Sequence, residues 1–183
     1  MNEQSLGPAL LAHARWAIAE RLGLAGEPPV TPAALEAPGA CFVTLSQAGA
    51  LRGCIGSLEA HRPLVLDVTE NARAAAFRDP RFAPVSAGEW PGIQVEVSLL
   101  GPHEALAAGS EAELLAQLRP GVDGLILAAG PRRATFLPQV WEQIPGRDQF
   151  LSILCQEKAG LPPLAWKDQD TTLLVFTVFA FEE

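Results

Sequence analysis

The sequence predicts an α+β fold, on three observations. Apolar residues recur at helical spacing in the first twenty-odd positions, strict alternation marks a half-buried strand at Ile93 to Leu100, and one order of elements occurs twice. That order is strand, glycine turn, strand, helix, strand. Each turn glycine, Gly49 or Gly130, is followed three residues later by an arginine, Arg52 or Arg133. The echo points to an ancient duplication. It predicts one antiparallel sheet built from two similar strand-strand-helix-strand halves, with flanking helices and a smaller second lobe. The chain reads as a single domain over residues 1–183, divided into an N-terminal helix (1–24), a Pro-rich connection (25–40), a first half (41–101) and a second half (102–183).

Leu11, Ala14, Ile18 and Leu22 form the stripe of the first helix, with Ser5 as its cap and Gly23 as its stop. Four prolines between Glu27 and Gly39 leave room for at most one short helical turn. Cys41 to Leu45 and Leu51 to Leu58 are β-rich runs around a glycine-containing loop, the signature of a hairpin. From Pro63 the period changes: Leu64, Val68, Ala72 and Ala75 make a helical stripe that ends before Pro80. In the second half, Glu111 to Leu118 and Asp148 to Glu157 read as helices, and Leu125 to Ala128, Arg133 to Leu137 and Leu173 to Phe181 as strands.

Length and composition bound the function. With 183 residues, 49% of them hydrophobic and 19% charged, the chain can bury a sizeable core without disulfide or metal. A net charge of −8 opposes a phosphate backbone, so nucleic acid is a disfavoured partner. The longest apolar run is about half of the 18 or more residues a membrane helix needs, so no membrane role is expected. Three widely spaced cysteines, Cys41, Cys54 and Cys155, form neither a disulfide framework nor a zinc pattern, and a reducing cytoplasm suits them. No metal site or cofactor is expected.

The chemically richest segment is Leu51-Arg52-Gly53-Cys54-Ile55-Gly56. Two glycines in a strand suggest that a ligand or a neighbouring strand comes close to the backbone. Simple alternation puts Arg52, Cys54 and Gly56 on one face, where the guanidinium favours a thiolate. Two roles compete for Cys54, a packing or substrate-contact thiol and a reactive one. His61, seven residues on, is the nearest general base by sequence, yet it reads better as a surface loop histidine. Glu96 on the alternating strand is a candidate to balance Arg52, and Asp79 is placed to pair with Arg78 or Arg81 or to hold the turn. Trp141 and Trp166 read as core.

Together these segments resemble the AMMECR-type domain, the family that includes protein A of the AmmeMemoRadiSam system. The resemblance rests on Leu51 to Gly56, Asn71 to Phe82, Val95 to Leu99, Gly121 to Leu125 and Ala134 to Trp141, followed by Lys158 to Pro162. It implies an α+β fold with a duplicated antiparallel arrangement. It also implies action with a Memo-like protein and a radical S-adenosylmethionine enzyme, whose own metal-binding residues are not evident in this chain. The expectation is a small substrate in a groove lined by Arg52, Gly53, Cys54, Gly56, Asn71 and Glu96, with Cys54 as the catalytic candidate. The alternative is a non-catalytic adaptor for the same two proteins, in which Cys54 only packs.

Overall fold

A computed structural model of the chain describes residues 3–183. Helix α1 spans Gly7–Arg21 and is entered through a 3-10 turn at Glu3–Leu6. Pro8 occupies its first turn, where the missing N–H costs nothing. Leu6 holds the N-cap position rather than Ser5, and Gly23, at φ +73°, ends the helix as expected. The Pro-rich connection contains a single short turn, Ala33–Glu36. Strand β1 (Cys41–Gln47) and strand β2 (Ala50–Gly56) form a hairpin whose two turn residues, Ala48 and Gly49, both have positive φ. That is the primed turn whose twist matches paired strands. Helix α2 (Leu64–Phe77) starts behind Pro63, and strand β3 (Ile93–Leu100) follows.

The second half adds a two-residue strand β4 (Glu104–Ala105) and helix α3 (Glu111–Gln117), capped by the Ser110 hydroxyl accepting from the Glu113 N–H at 3.3 Å. Strands β5 (Gly124–Ala129) and β6 (Arg132–Phe136) form the second hairpin. Helix α4 (Arg147–Ile153) continues into a π-helical turn, Leu154–Ala159, and stops at Gly160, φ +63°. Strands β7 (Thr171–Phe176) and β8 (Val178–Glu182) follow.

The strands lie in two antiparallel sheets of four, ordered β2-β1-β3-β8 and β4-β7-β5-β6, where the sequence reading expects one. The run read as a single strand from Leu173 to Phe181 is the reason: it breaks at Thr177, and its two parts serve different sheets. Two compact units result, Met1–Leu100 with Phe179–Glu183, and Gly101–Val178.

In the first unit, α1 and α2 bury Leu10, Ala14, Ile18, Val68 and Ala72 against Val43, Leu45, Val95 and Val97 of the sheet. Alternation leaves the even-numbered residues of β1 and β3 on the other face. The second unit has its own core of Leu125, Leu127, Phe136, Phe150, Leu154 and Leu173. Trp141 stacks on Phe150 at 3.7 Å and satisfies its indole N–H on the Asp123 carbonyl at 2.7 Å. Both Trp141 and Trp166 are buried, as the sequence suggests.

Candidate functional site

Cys54 lies on β2, the edge strand of the first sheet, paired with Thr44 of β1, which in turn pairs with Glu96 of β3. Thr44, Cys54 and Glu96 thus form a row on the face turned away from the helices. Of the three thiols, Cys41 and Cys155 are buried and only Cys54 is partly exposed. Burial pushes the Cys41 thiol well above its ordinary value, reinforced by the charge of Asp67, and burial also raises Cys155.

Each polar atom of Cys54 is held by a different partner. The Thr44 hydroxyl donates to its sulfur at 3.3 Å, its N–H donates to Asp79 Oδ2 at 2.9 Å, and Arg81 Nη2 donates to its carbonyl at 3.3 Å. Asp79 is buried and paired side-on with Arg81, at 3.0 Å to Nε and 2.7 Å to Nη2, and it also accepts from the Arg81 N–H. These Arg81 bonds, then the Cys54 N–H, hold the Asp79 carboxyl well below the usual carboxylate range. Arg78 turns elsewhere, to Glu70 at 3.4 Å. A short segment after α2 therefore clasps the edge of β2 where Cys54 sits.

The glycines have packing causes. A Cβ on Gly53 would fall 2.2 Å from the Ala75 carbonyl oxygen of α2, and one on Gly56 would fall 2.2 Å from the Phe42 ring. The close neighbours that the sequence asks for are a helix backbone and a cross-strand aromatic.

Arg52 departs from simple alternation. The register passes from Leu45↔Gly53 to Ser46↔Leu51, which leaves Arg52 as an extra residue in a bulge. Bulges re-aim side chains. Arg52 makes a two-point ion pair with Glu89, at 3.1 and 3.4 Å, with its guanidinium 5.9 Å from the Phe82 ring centre. Its Nη1 is buried with no hydrogen-bond partner among the described residues. Glu89, and not Glu96, is the balancing carboxylate; Glu96 accepts instead from the Ser98 hydroxyl at 3.0 Å. The Ser86 N–H, then Arg52 and the Ser86 hydroxyl, hold Glu89 down to about 2. Ser86-x-x-Glu89 forms a reciprocal capping box, a motif visible in the sequence that would have singled out Glu89.

Asn71 belongs to a different cluster. It donates to the Cys41 carbonyl, to Ser57 Oγ and to Asp67 Oδ2 at 3.0 to 3.1 Å. Asp67, fully buried, also accepts from Cys41, Ser57 and Arg62. Asn71 thus ties the entry of β1 to α2, and its hydrogen bonds go to Cys41, Ser57 and Asp67 rather than to Cys54 or Arg52. His61 is exposed, its Nδ1 2.8 Å from the Glu59 carbonyl, which is its surface role. Among the described residues no group of three or more His, Cys, Asp or Glu side chains is arranged to hold a metal ion, and no helix is long and apolar enough to cross a membrane.

Comparison with known proteins places the chain in a family. The chain is 44% identical over 147 residues to a protein of Methanothermobacter thermautotrophicus, covering 78% of this chain and 74% of that one. It is 41% identical over 191 residues to a Pyrococcus furiosus protein, covering 97% and 88%. The crystal structure of the uncharacterised protein PH0010 from Pyrococcus horikoshii superposes with a TM-score of 0.84 at 40% identity, over 98% of this chain and 92% of that one. The AMMECR1 family model matches residues 11–181, and the chain belongs to the AMMECR1 family.

Proposed function

We propose that this protein holds a small ligand at the partly exposed face of its first hairpin, with Cys54 as the contact or reactive thiol and Arg52 as the residue that holds an anionic group of the ligand. It does so in the cytoplasm, beside a Memo-like protein and a radical S-adenosylmethionine enzyme. One observation carries this reading: three side chains from two segments fix the N–H, the carbonyl and the sulfur of the only cysteine that is not buried. Of the three, the bond from the Thr44 hydroxyl is the one that depends on the thiol, and the other two fix the backbone that aims it. Beside its ion pair with Glu89, Arg52 keeps one buried N–H, on Nη1, with no acceptor among the described residues, and an anionic group could take it. The two sheets, read as β2-β1-β3-β8 and β6-β5-β7-β4, also share one order of hairpin and following strand, which supports the duplication.

Substitution tests the reading. Cys54→Ala and Arg52→Ala, in cells that contain both linked proteins, are expected to abolish pathway output while the chain stays folded. Unchanged output with either variant defeats the ligand site. Co-purification of the linked proteins that is indifferent to Cys54→Ser, together with that unchanged output, would establish the adaptor instead.

A further inference from the structure

The bulge and the Glu89 ion pair take Arg52 away from the role its sequence position suggests. A second guanidinium is bonded to Cys54 directly: Arg81 donates to the Cys54 carbonyl at 3.3 Å, while its carboxylate partner Asp79 takes the Cys54 N–H at 2.9 Å. We propose that the Asp79–Arg81 pair, and not Arg52, governs the chemistry of the Cys54 thiol, with Arg81 as the cation that favours thiolate and Asp79 as the positioning residue that aims it. This rests on the reading of Cys54 as the contact or reactive thiol and says what regulates it.

Three observations support the assignment. Asp79 and Arg81 lie two residues apart, and both oxygens of the carboxylate are engaged by the guanidinium, so the pair is rigid and side-on. The guanidinium of Arg81 is raised above its ordinary value, first by its hydrogen bond to Asp79, which keeps the pair charged across the physiological range. What sets Arg81 apart is its direct bond to Cys54; the other charged groups of this face are bonded elsewhere. Arg52 is balanced by Glu89, Glu96 lies beyond Thr44 and is bonded by Ser98, and Glu182 lines a small cavity with Thr44 and Glu96. On the far side of the strand, α2 approaches through the Ala75 backbone; its Glu70 pairs with Arg73 and Arg78, and Arg73 also with Glu20 of α1.

Opposed charges held this way make a signed prediction that a purely mechanical brace does not. Removing Arg81 leaves the Asp79 carboxylate to oppose a thiolate; removing the Asp79 charge leaves the Arg81 cation to favour one. The test is iodoacetamide alkylation of the full-length protein between about pH 6 and 9, read by mass spectrometry on the peptide that contains Cys54. Arg81→Ala is expected to slow alkylation at neutral pH about three- to tenfold, and Asp79→Asn to speed it by a similar factor. Arg81→Lys, which keeps the charge but not the two-point grip on Asp79, should fall between Arg81→Ala and the wild type, and Arg52→Ala should stay within about twofold of the wild type. Thermal melts confirm that each variant is folded. Shifts of the same sign in Arg81→Ala and Asp79→Asn, or a larger effect from Arg52→Ala, overturn the assignment while leaving the Cys54 reading intact. A Cys54 that resists alkylation in the folded wild type across the range overturns both.

Discussion

Gly53 shows how a residue chosen for packing prepares a site. With a Cβ meeting the Ala75 carbonyl oxygen at 2.2 Å, a backbone atom that cannot rotate away, Gly53→Ala forces α2 off the sheet. The expected cost is about 2 kcal/mol or more, measured by urea unfolding. Gly56→Ala meets only the Phe42 ring, which can turn, and should cost less. Glu89 gives a prediction in pH. Its carboxyl is held down to about 2 against an ordinary 4.5, so the stabilisation is complete above about 4.5 and is lost as pH falls toward 2. Glu89→Gln should flatten that part of the acid-unfolding curve, followed by fluorescence. At this scale the sequence singles out Cys54, Gly53 and Asp79 but mistakes the partner of Arg52. A bulge is decided by pairing with another strand, and β2 carries no local sign that Ser46 faces Leu51 and Leu45 faces Gly53.

At the scale of elements, the first turn of α2 is a joint. Asp67 there is fully buried and accepts from the Cys41 backbone at 2.9 Å, Ser57 at 2.7 Å and Arg62 at 2.8 Å, so β1, the end of β2 and α2 meet on one carboxylate. Asp67→Ala leaves those donors without an acceptor and should cost about 3–5 kcal/mol. Asp67→Asn should cost nearly as much, because its amide hydrogens would confront the Asn71 amide or the Arg62 guanidinium. Denaturant midpoints of the two variants, compared with Asn71→Ala, check this. Periodicity exposes α1, α2, β3 and both hairpins to within a few residues, because each has an apolar face to bury. Asn71 misleads it: a polar residue in a helical stripe signals a buried network or a ligand equally well, and only the position of Cys41 and Ser57 decides.

At the scale of the whole molecule, periodicity says which residues are strand and not which sheet they join. The run after Thr171 reads as continuous, yet Phe179 and Phe181 pack on the first core while Leu173 packs in the second. Glu183 adds to the first unit by pairing with Arg15 at 2.5 Å and accepting from the Val95 N–H at 3.1 Å. Deleting residues 179–183 should therefore speed amide hydrogen exchange in β1 and β3 far more than in β5 and β7, although the cut is next in sequence to β7. Equal acceleration in both sheets would contradict the division.

That returning strand also sets an order of events during synthesis. When β3 leaves the ribosome, its outer edge has no neighbour, and none arrives until the whole second unit has been translated. The usual sequence, in which the N-terminal portion is finished first, is closed to this chain. Its first sheet waits with an open edge for β8, and the nascent protein is exposed to mispairing for the time it takes to make the unit in between.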